Sequence, residues 1–290
     1  MGISIGIDPV AFTLGGATVR WYGIMMALGV VVLIAWTYWQ IRRGAKISSD
    51  DLLGGALVGI ISGIVFARIL HVIDQWWYYG HNLGAIIGGA GLTVYGAILG
   101  AALGVWVYSR FTKLNYLYAA DVVTPGIMMA QAIGRVGCVI NGCCFGEIAH
   151  DLPWGIVYTN PGHSEYVGIY MDQAVHPTHV YEILFLLALI GVVLVFRRKF
   201  KPTGAQFLFY LGAYGLWRLG IGFLRINDVF LVGLEQAQFI GLVSALICFP
   251  LMYYRYRQYR AGKITGPESD PPESSSPEGA LPDSAPVEEE

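Results

Sequence analysis

The sequence predicts an all-α integral membrane protein with seven transmembrane helices, an outside N-terminus and a cytoplasmic C-terminus. Three observations carry that prediction. Of the 290 residues, 55% are hydrophobic and 13% charged, with a mean hydropathy of +0.55, far from the composition of soluble domains. Seven apolar stretches approach the roughly 20 residues that a helix needs to cross a bilayer. The basic residues are sorted, because short cytoplasmic connections collect Lys and Arg and most of the bases here fall in every second connection.

The first helix is expected near residues 21–40. The preceding "MGISIGIDPVAFTLGGATVR" holds no Lys or Arg before Arg20, so it lacks the basic start of a signal peptide and the segment reads as a permanent span. Arg42, Arg43 and Lys46 follow it and mark the inside. Helix two is expected near 52–72 and carries Arg68 close to its outer end. Helix three, near 83–108, contains "GAIIGGAGLTVYGAILGAALG", whose small residues permit close helix contacts, and it places Tyr95 in mid-helix. Arg110 and Lys113 then lie inside.

Helix four, near 117–138, ends in "GRVGCVINGCCFGE", residues 134–147, and the long connection of about 139–179 has no Lys or Arg. "HPTHVYE" (176–182) leads into helix five, near 180–196, with its histidines expected to be solvated at the interface. Arg197, Arg198, Lys199 and Lys201 precede helix six, near 204–222; Arg255, Arg257, Arg260 and Lys263 follow helix seven, near 236–254. Residues 1–263 thus form a polytopic membrane domain. The tail, 264–290, holds eight of the 20 acids, no Lys or Arg, and abundant Pro and Ser; such a composition is expected to be disordered.

Four arginines stand apart from this scheme. Arg68, Arg135, Arg218 and Arg225 are expected in or beside spans at the depth of the outer leaflet. An arginine at the centre of a span costs about 2.5–3.5 kcal/mol on insertion scales, less toward the interface, so each needs a partner or a purpose. Snorkelling, or pairing with Asp74, Glu147, Asp172 or Glu182, satisfies Arg68 and Arg225 as well as any ligand would. For Arg135 and Arg218 a lipid phosphate suits the guanidinium fork and is available at that depth. In "YLGAYGLWRLGIGFLR" the residues Tyr214, Arg218 and Arg225 fall within about 40° of one another at 100° per residue, so one face of helix six should meet a polar cavity. Cys138, Cys143 and Cys144 lack the paired spacing of common zinc sites, and are expected to be packing residues, with a disulfide, which an outside location permits, as the alternative ahead of a metal. Cys248 is expected to be buried and inert.

The ordered set "RWYGIMMALG" (20–29), "ARILHVI" (67–73), "GLTVYGAILG" (91–100), "GRVGCVINGCCFG" (134–146), "HPTHVYE" (176–182), "YGLWRLGIGFLR" (214–225) and "EQAQFIGL" (235–242) resembles the prolipoprotein diacylglyceryl transferases. The resemblance implies transfer of the diacylglyceryl group of phosphatidylglycerol to a lipobox cysteine thiol of a prolipoprotein, giving a thioether and releasing glycerol 1-phosphate. It implies a bacterial inner-membrane enzyme with a small periplasmic head from the long outer loop and an active site toward the outer leaflet. Its partners are phosphatidylglycerol, the lipobox segment of prolipoprotein signal peptides and membrane lipids, with no nucleic acid and no cofactor. The family's phosphatidylglycerol-binding arginine falls on Arg135, its second essential arginine on Arg218 and the neighbouring tyrosine on Tyr214. Asn141, Gly146 and Tyr22 match further binding positions, joined by Arg225. Tyr95 stands where the best-studied form has a histidine, Cys138 where it has an asparagine, and Cys143 where it has a glutamate.

In chemical terms the nucleophile is the acceptor's own thiol, so the chain's cysteines carry no catalytic role. Two arginines would neutralise charge on the phosphate leaving group, with Tyr95 or Tyr214 donating a hydrogen bond or orienting the thiol. A transporter of anions or lipid headgroups, or a non-catalytic phospholipid-binding paralogue, would also use buried arginines. Transporters commonly carry internal repeats, and no duplicated motif is present; the four arginines gather at one face.

Overall fold

The computed structural model describes residues 2–88, 91–162, 170–227, 229–231, 233–264 and 266. Among them are seven long helices: α1 (Trp21–Arg42), α2 (Ser49–Asp74), α3 (Val94–Phe111), α4 (Tyr116–Asn141), α5 (Thr178–Phe196), α6 (Ala205–Gly222) and α7 (Gln236–Arg260). All except α6 are long and apolar enough to cross a membrane, a multi-pass arrangement. α6 has 18 residues and includes Gln206 and Arg218, which hold it below that apolarity. The acidic tail after Gly266 lies outside the described residues.

Small residues decide the pairings. α2 packs on α3, α1 on α4, α6 on α7, and α4 on α5. A Cβ on Gly100 would stand 2.5 Å from the Ser62 carbonyl oxygen, and the backbones of Gly215 and Gly241 approach each other so closely that a Cβ on either would meet the other's oxygen at 2.4–2.5 Å. Such approaches raise dispersion contact where lipid gives no hydrophobic drive.

The height of α6 is set by α4. The Asp121 carboxylate accepts from Gly204 N at 2.5 Å and Phe207 N at 2.9 Å, capping the helix start with a side chain from another helix. Pro125 has no N–H for the Asp121 carbonyl four residues back; Gln206 Nε2 donates to that oxygen instead, at 2.7 Å. Arg135 follows Asp121 by 14 residues and Arg218 follows Gly204 by 14. At 1.5 Å per residue both guanidiniums rise about 21 Å above one pin.

The third helix begins later than expected. Residues 76–79 and 85–88 form short helical turns, and α3 starts only at Val94. The cause is Arg68, which donates to three backbone oxygens: Nε to Ile86 at 2.9 Å, Nη1 to Gly91 at 2.9 Å and Nη2 to Ala85 at 2.6 Å. Those bonds compete with a continuous helical ladder and tie Ala85, Ile86 and Gly91 to α2. Tyr95 is therefore the second residue of α3, at the bundle end and not in mid-helix.

Short strands add to the helical body at this same end. β1 (Ile3–Ile5) pairs in parallel with β4 (Ile156–Tyr158), Ile3 opposite Ile156. β2 (Val10–Leu14) and β3 (Ala17–Arg20) form a hairpin whose Gly15 and Gly16 have φ of 55° and 86°, a turn conformation that glycine adopts freely. β5 (Val229–Leu231) pairs with β6 (Leu234–Glu235) ahead of α7.

Candidate active site

α3 begins, α4 ends, α5 begins, α6 ends and α7 begins at one end of the bundle, away from the connections that carry most of the bases. There the structure gathers three of the expected site residues, Arg135, Tyr214 and Arg218, around an acid. Glu182, 1% exposed and one turn into α5, accepts from Arg135 Nε at 2.8 Å and from the Tyr214 hydroxyl at 2.7 Å, both on Oε1. Its Oε2 lies 3.6 Å from Arg218 Nη1. That separation is an ion pair without a hydrogen bond, and Arg218 Nη1 has no other partner among the described residues. Helices four, five and six thus converge on one carboxylate.

One turn below this charged layer the same three helices supply Ala132, Leu186 and Tyr210 to a buried apolar cluster with Met128, Leu189 and Val193. The apolar floor lowers the local dielectric and strengthens every ion contact above it. Tyr210 donates to Gln131 Oε1 at 3.0 Å, so its hydroxyl is not left bare in that layer.

A cavity of about 380 Å³ opens beside the cluster, lined by Tyr95, Arg218, Arg225, Asn227 and Glu235 among others. Arg218 is the residue common to the cavity and the Glu182 cluster. Arg225 does not continue the face of helix six as the spacing predicts. α6 stops at Gly222 and turns, with Arg225 N bonded to Gly222 O at 3.0 Å. The turn delivers Arg225 to the cavity by another route, through an antiparallel bridge with Gly146, and its Nε is buried without a partner among the described residues. Glu235, 7% exposed, accepts from Asn227 Nδ2 at 2.8 Å.

The signature after α4 builds the frame. Gly142, with φ of 65°, ends the helix in the left-handed region. Gly146 is the point of closest approach: a Cβ there would fall 2.1 Å from Leu224 O and 2.8 Å from the Thr178 methyl. Its N–H donates to His176 O at 2.8 Å, so a side chain would push apart the two segments that carry Arg225 and Glu182. Asn141, the last residue of α4, has its Oδ1 buried and unpartnered among the described residues. Tyr22, in the first turn of α1, packs across Gly137.

"HPTHVYE" is the motif whose weight the sequence understates. His179 is not solvated: it is 1% exposed, and its Nε2 lies 2.9 Å from the Tyr158 hydroxyl, which donates to Val139 O at 3.1 Å. Burial, then the neighbouring thiols, pushes the Tyr158 phenol above its ordinary pKa, so it remains an O–H donor. Thr178 Oγ1 donates to Cys144 O at 2.7 Å. In the sequence Glu182 is one of four acids within reach of the arginines; its place just inside an apolar helix, where a lone carboxylate is costly, is the signal that singles it out. Arg68 joins neither cavity nor cluster, since its guanidinium holds backbone oxygens. The thiols of Cys138, Cys143 and Cys144 are free, and their sulfur atoms lie within 4.8 Å of one another.

Comparison with known proteins places the chain among described relatives. A sequence model of the family described as prolipoprotein diacylglyceryl transferase matches residues 9–254. A protein of Dehalococcoides mccartyi named phosphatidylglycerol--prolipoprotein diacylglyceryl transferase is 51% identical over 262 residues, covering 90% of this chain and 99% of its own length. One of the same name from Clostridioides difficile is 36% identical over 242 residues, covering 83% of this chain and 92% of its own.

Proposed function

The chain belongs to the prolipoprotein diacylglyceryl transferase family, and from that membership we infer that it transfers the diacylglyceryl group of phosphatidylglycerol to the lipobox cysteine of prolipoproteins, the first step of lipoprotein maturation. The acceptor thiol forms a sulfur–carbon bond at the glyceryl carbon while the carbon–oxygen bond to phosphate breaks. Glycerol 1-phosphate leaves, and the proton lost by the thiol balances the charge it carries away.

One observation supports the placement of this chemistry above the rest: Arg218 faces the cavity with Tyr95 and Arg225 while it also borders Glu182, which holds Arg135. In this reading the phosphodiester lies against Arg218 and Arg225, which line the cavity, and Arg135 adds the field of a third guanidinium from behind. Two carboxylates, Glu182 and Glu235, stand against the three guanidiniums and leave the site with a net positive charge. As the leaving oxygen gains charge, fixed guanidiniums in a water-poor site stabilise it without reorganising, commonly the largest catalytic contribution. Tyr95 donates a hydrogen bond from the cavity wall. Tyr214 is committed to Glu182 and orients it. Tyr22 and Asn141 are assigned to substrate binding, and Gly146 keeps the loop close enough for Arg225 to reach the cavity.

The enzyme is proposed to span the bacterial inner membrane seven times, with α6 as the seventh span shielded by α4 and α7. The N-terminus and the head built from about 139–179 would face the periplasm and the tail the cytoplasm. Support comes from the bases in alternate connections and from Trp76, Trp77 and Trp154, which are exposed at the site end and suit a membrane interface. Purified protein, phosphatidylglycerol vesicles and a lipobox peptide test the activity. A peptide mass increased by one diacylglyceryl group, absent with the Cys→Ser peptide, is the expected result; unmodified peptide would refute it.

A further inference from the structure

The geometry points to a soft-metal site at the end of α4, formed by the thiolates of Cys138, Cys143 and Cys144 and fitted to a monovalent copper ion. All three sulfur atoms lie within 4.8 Å of one another, and no histidine, aspartate or glutamate joins the group among the described residues. With metal–sulfur bonds of about 2.3 Å, a trigonal trithiolate needs its sulfurs about 4 Å apart, so closure asks for movements below one ångström. Thiolates alone, three in number, suit Cu⁺ better than a harder ion that seeks nitrogen or oxygen ligands.

The backbone gathers these sulfurs in a way that packing does not require. Cys138 sits in the last turn of α4, the chain reverses at Gly142, and Cys143 N returns to Cys138 O at 3.2 Å. Cys144 then adopts φ of 65°, a left-handed conformation uncommon for a residue with a side chain. Its carbonyl is tied to Thr178 Oγ1, which fixes the turn. Cys143 and Cys144 are only half-buried, leaving an approach for an ion. A copper trithiolate carries two negative charges, and Arg135 Nη1, 3.8 Å from Cys138 Sγ, offsets part of them. The same guanidinium keeps its Nε on Glu182.

The test is a titration of the full-length, reduced protein in detergent under anaerobic conditions, with Cu⁺ delivered from a colorimetric Cu⁺ chelator. The expected result is one Cu⁺ per chain with ultraviolet thiolate-to-copper absorption, and affinity at least about tenfold lower in each of Cys138→Ser, Cys143→Ser and Cys144→Ser. Cys248→Ser should bind as the parent does. Where a serine variant does not fold, the parent alone decides, since Cu⁺ should raise its melting temperature, and further as free Cu⁺ increases. Absence of binding above the triple-serine background, unchanged affinity in any of the three single variants, tighter binding of Zn²⁺ than of Cu⁺, or a disulfide among these cysteines in protein isolated without reductant would each overturn the assignment.

Discussion

Glu182 is a buried carboxylate that three side chains from two neighbouring helices approach, and its removal should be felt in both stability and rate. Glu182→Gln keeps the shape and an oxygen for Tyr214 but leaves the buried Arg135 without its counter-charge. Breaking a buried pair from one side costs about 3–5 kcal/mol, so the expected outcome is a clearly lower melting temperature in detergent together with at least about tenfold slower transfer. An unchanged melt would show that the pair does not hold the helices. Tyr214→Phe removes one hydrogen bond to a charged group, worth about 1.5–3 kcal/mol, and should give a milder loss of both. At this scale the arginines were legible because charge in an apolar run demands a reason. Their partner was less so: four acids lie within reach in the sequence, only the place of Glu182 just inside an apolar helix marks it out, and the meeting of α4, α5 and α6 selects it.

Whole helices are placed by a few contacts at their ends. Asp121 ties the start of α6 to α4, and loss of a capping side chain typically costs about 0.5–2 kcal/mol. Asp121→Ala should destabilise the protein by about that amount, read as a lower melting temperature, and slow transfer without touching the cavity, because it frees the height at which Arg218 stands. A transfer rate equal to the parent's would show that packing alone sets that height. On the other pair, Gly100→Leu would drive a side chain into Phe66 and Ser62 of α2; overpacking of this kind costs about 1–3 kcal/mol, read as a lower melting temperature. Helix existence was legible throughout, from length and apolarity. The start of α3 was not, because apolar glycine-rich sequence fits helix and loop alike, and the choice rests on Arg68 drawing the carbonyls of Ala85, Ile86 and Gly91 away from a helical ladder.

At the level of the whole molecule the division between membrane body and tail invites truncation. A chain ending at Lys263 keeps all the long helices and the site, so its transfer rate is expected to stay within about twofold of the parent. A larger loss would place function in the tail. Reporter fusions at Lys46, Lys113, Lys201 and Lys263 should all report the cytoplasmic side, whereas one at His150 should report the outside; any exchange between the two sets would reverse the proposed topology. The fold class and the side-by-side order of charged and uncharged connections could be read from composition. The strands at the site end could not, because segments such as Ile3–Ile5 and Ile156–Tyr158 are too short to show a periodic pattern and pair only across the length of the chain.

Arg218 borders both the Glu182 cluster and the cavity, and is proposed to hold the phosphate as it departs. Arg218→Lys keeps the charge and loses the planar fork. With saturating phosphatidylglycerol vesicles and a lipobox peptide, release of glycerol phosphate by this variant is expected to fall about 10²–10³-fold while its melting temperature stays close to the parent's. Release within about threefold of the parent, in a folded variant, would contradict a phosphate-holding role for the guanidinium.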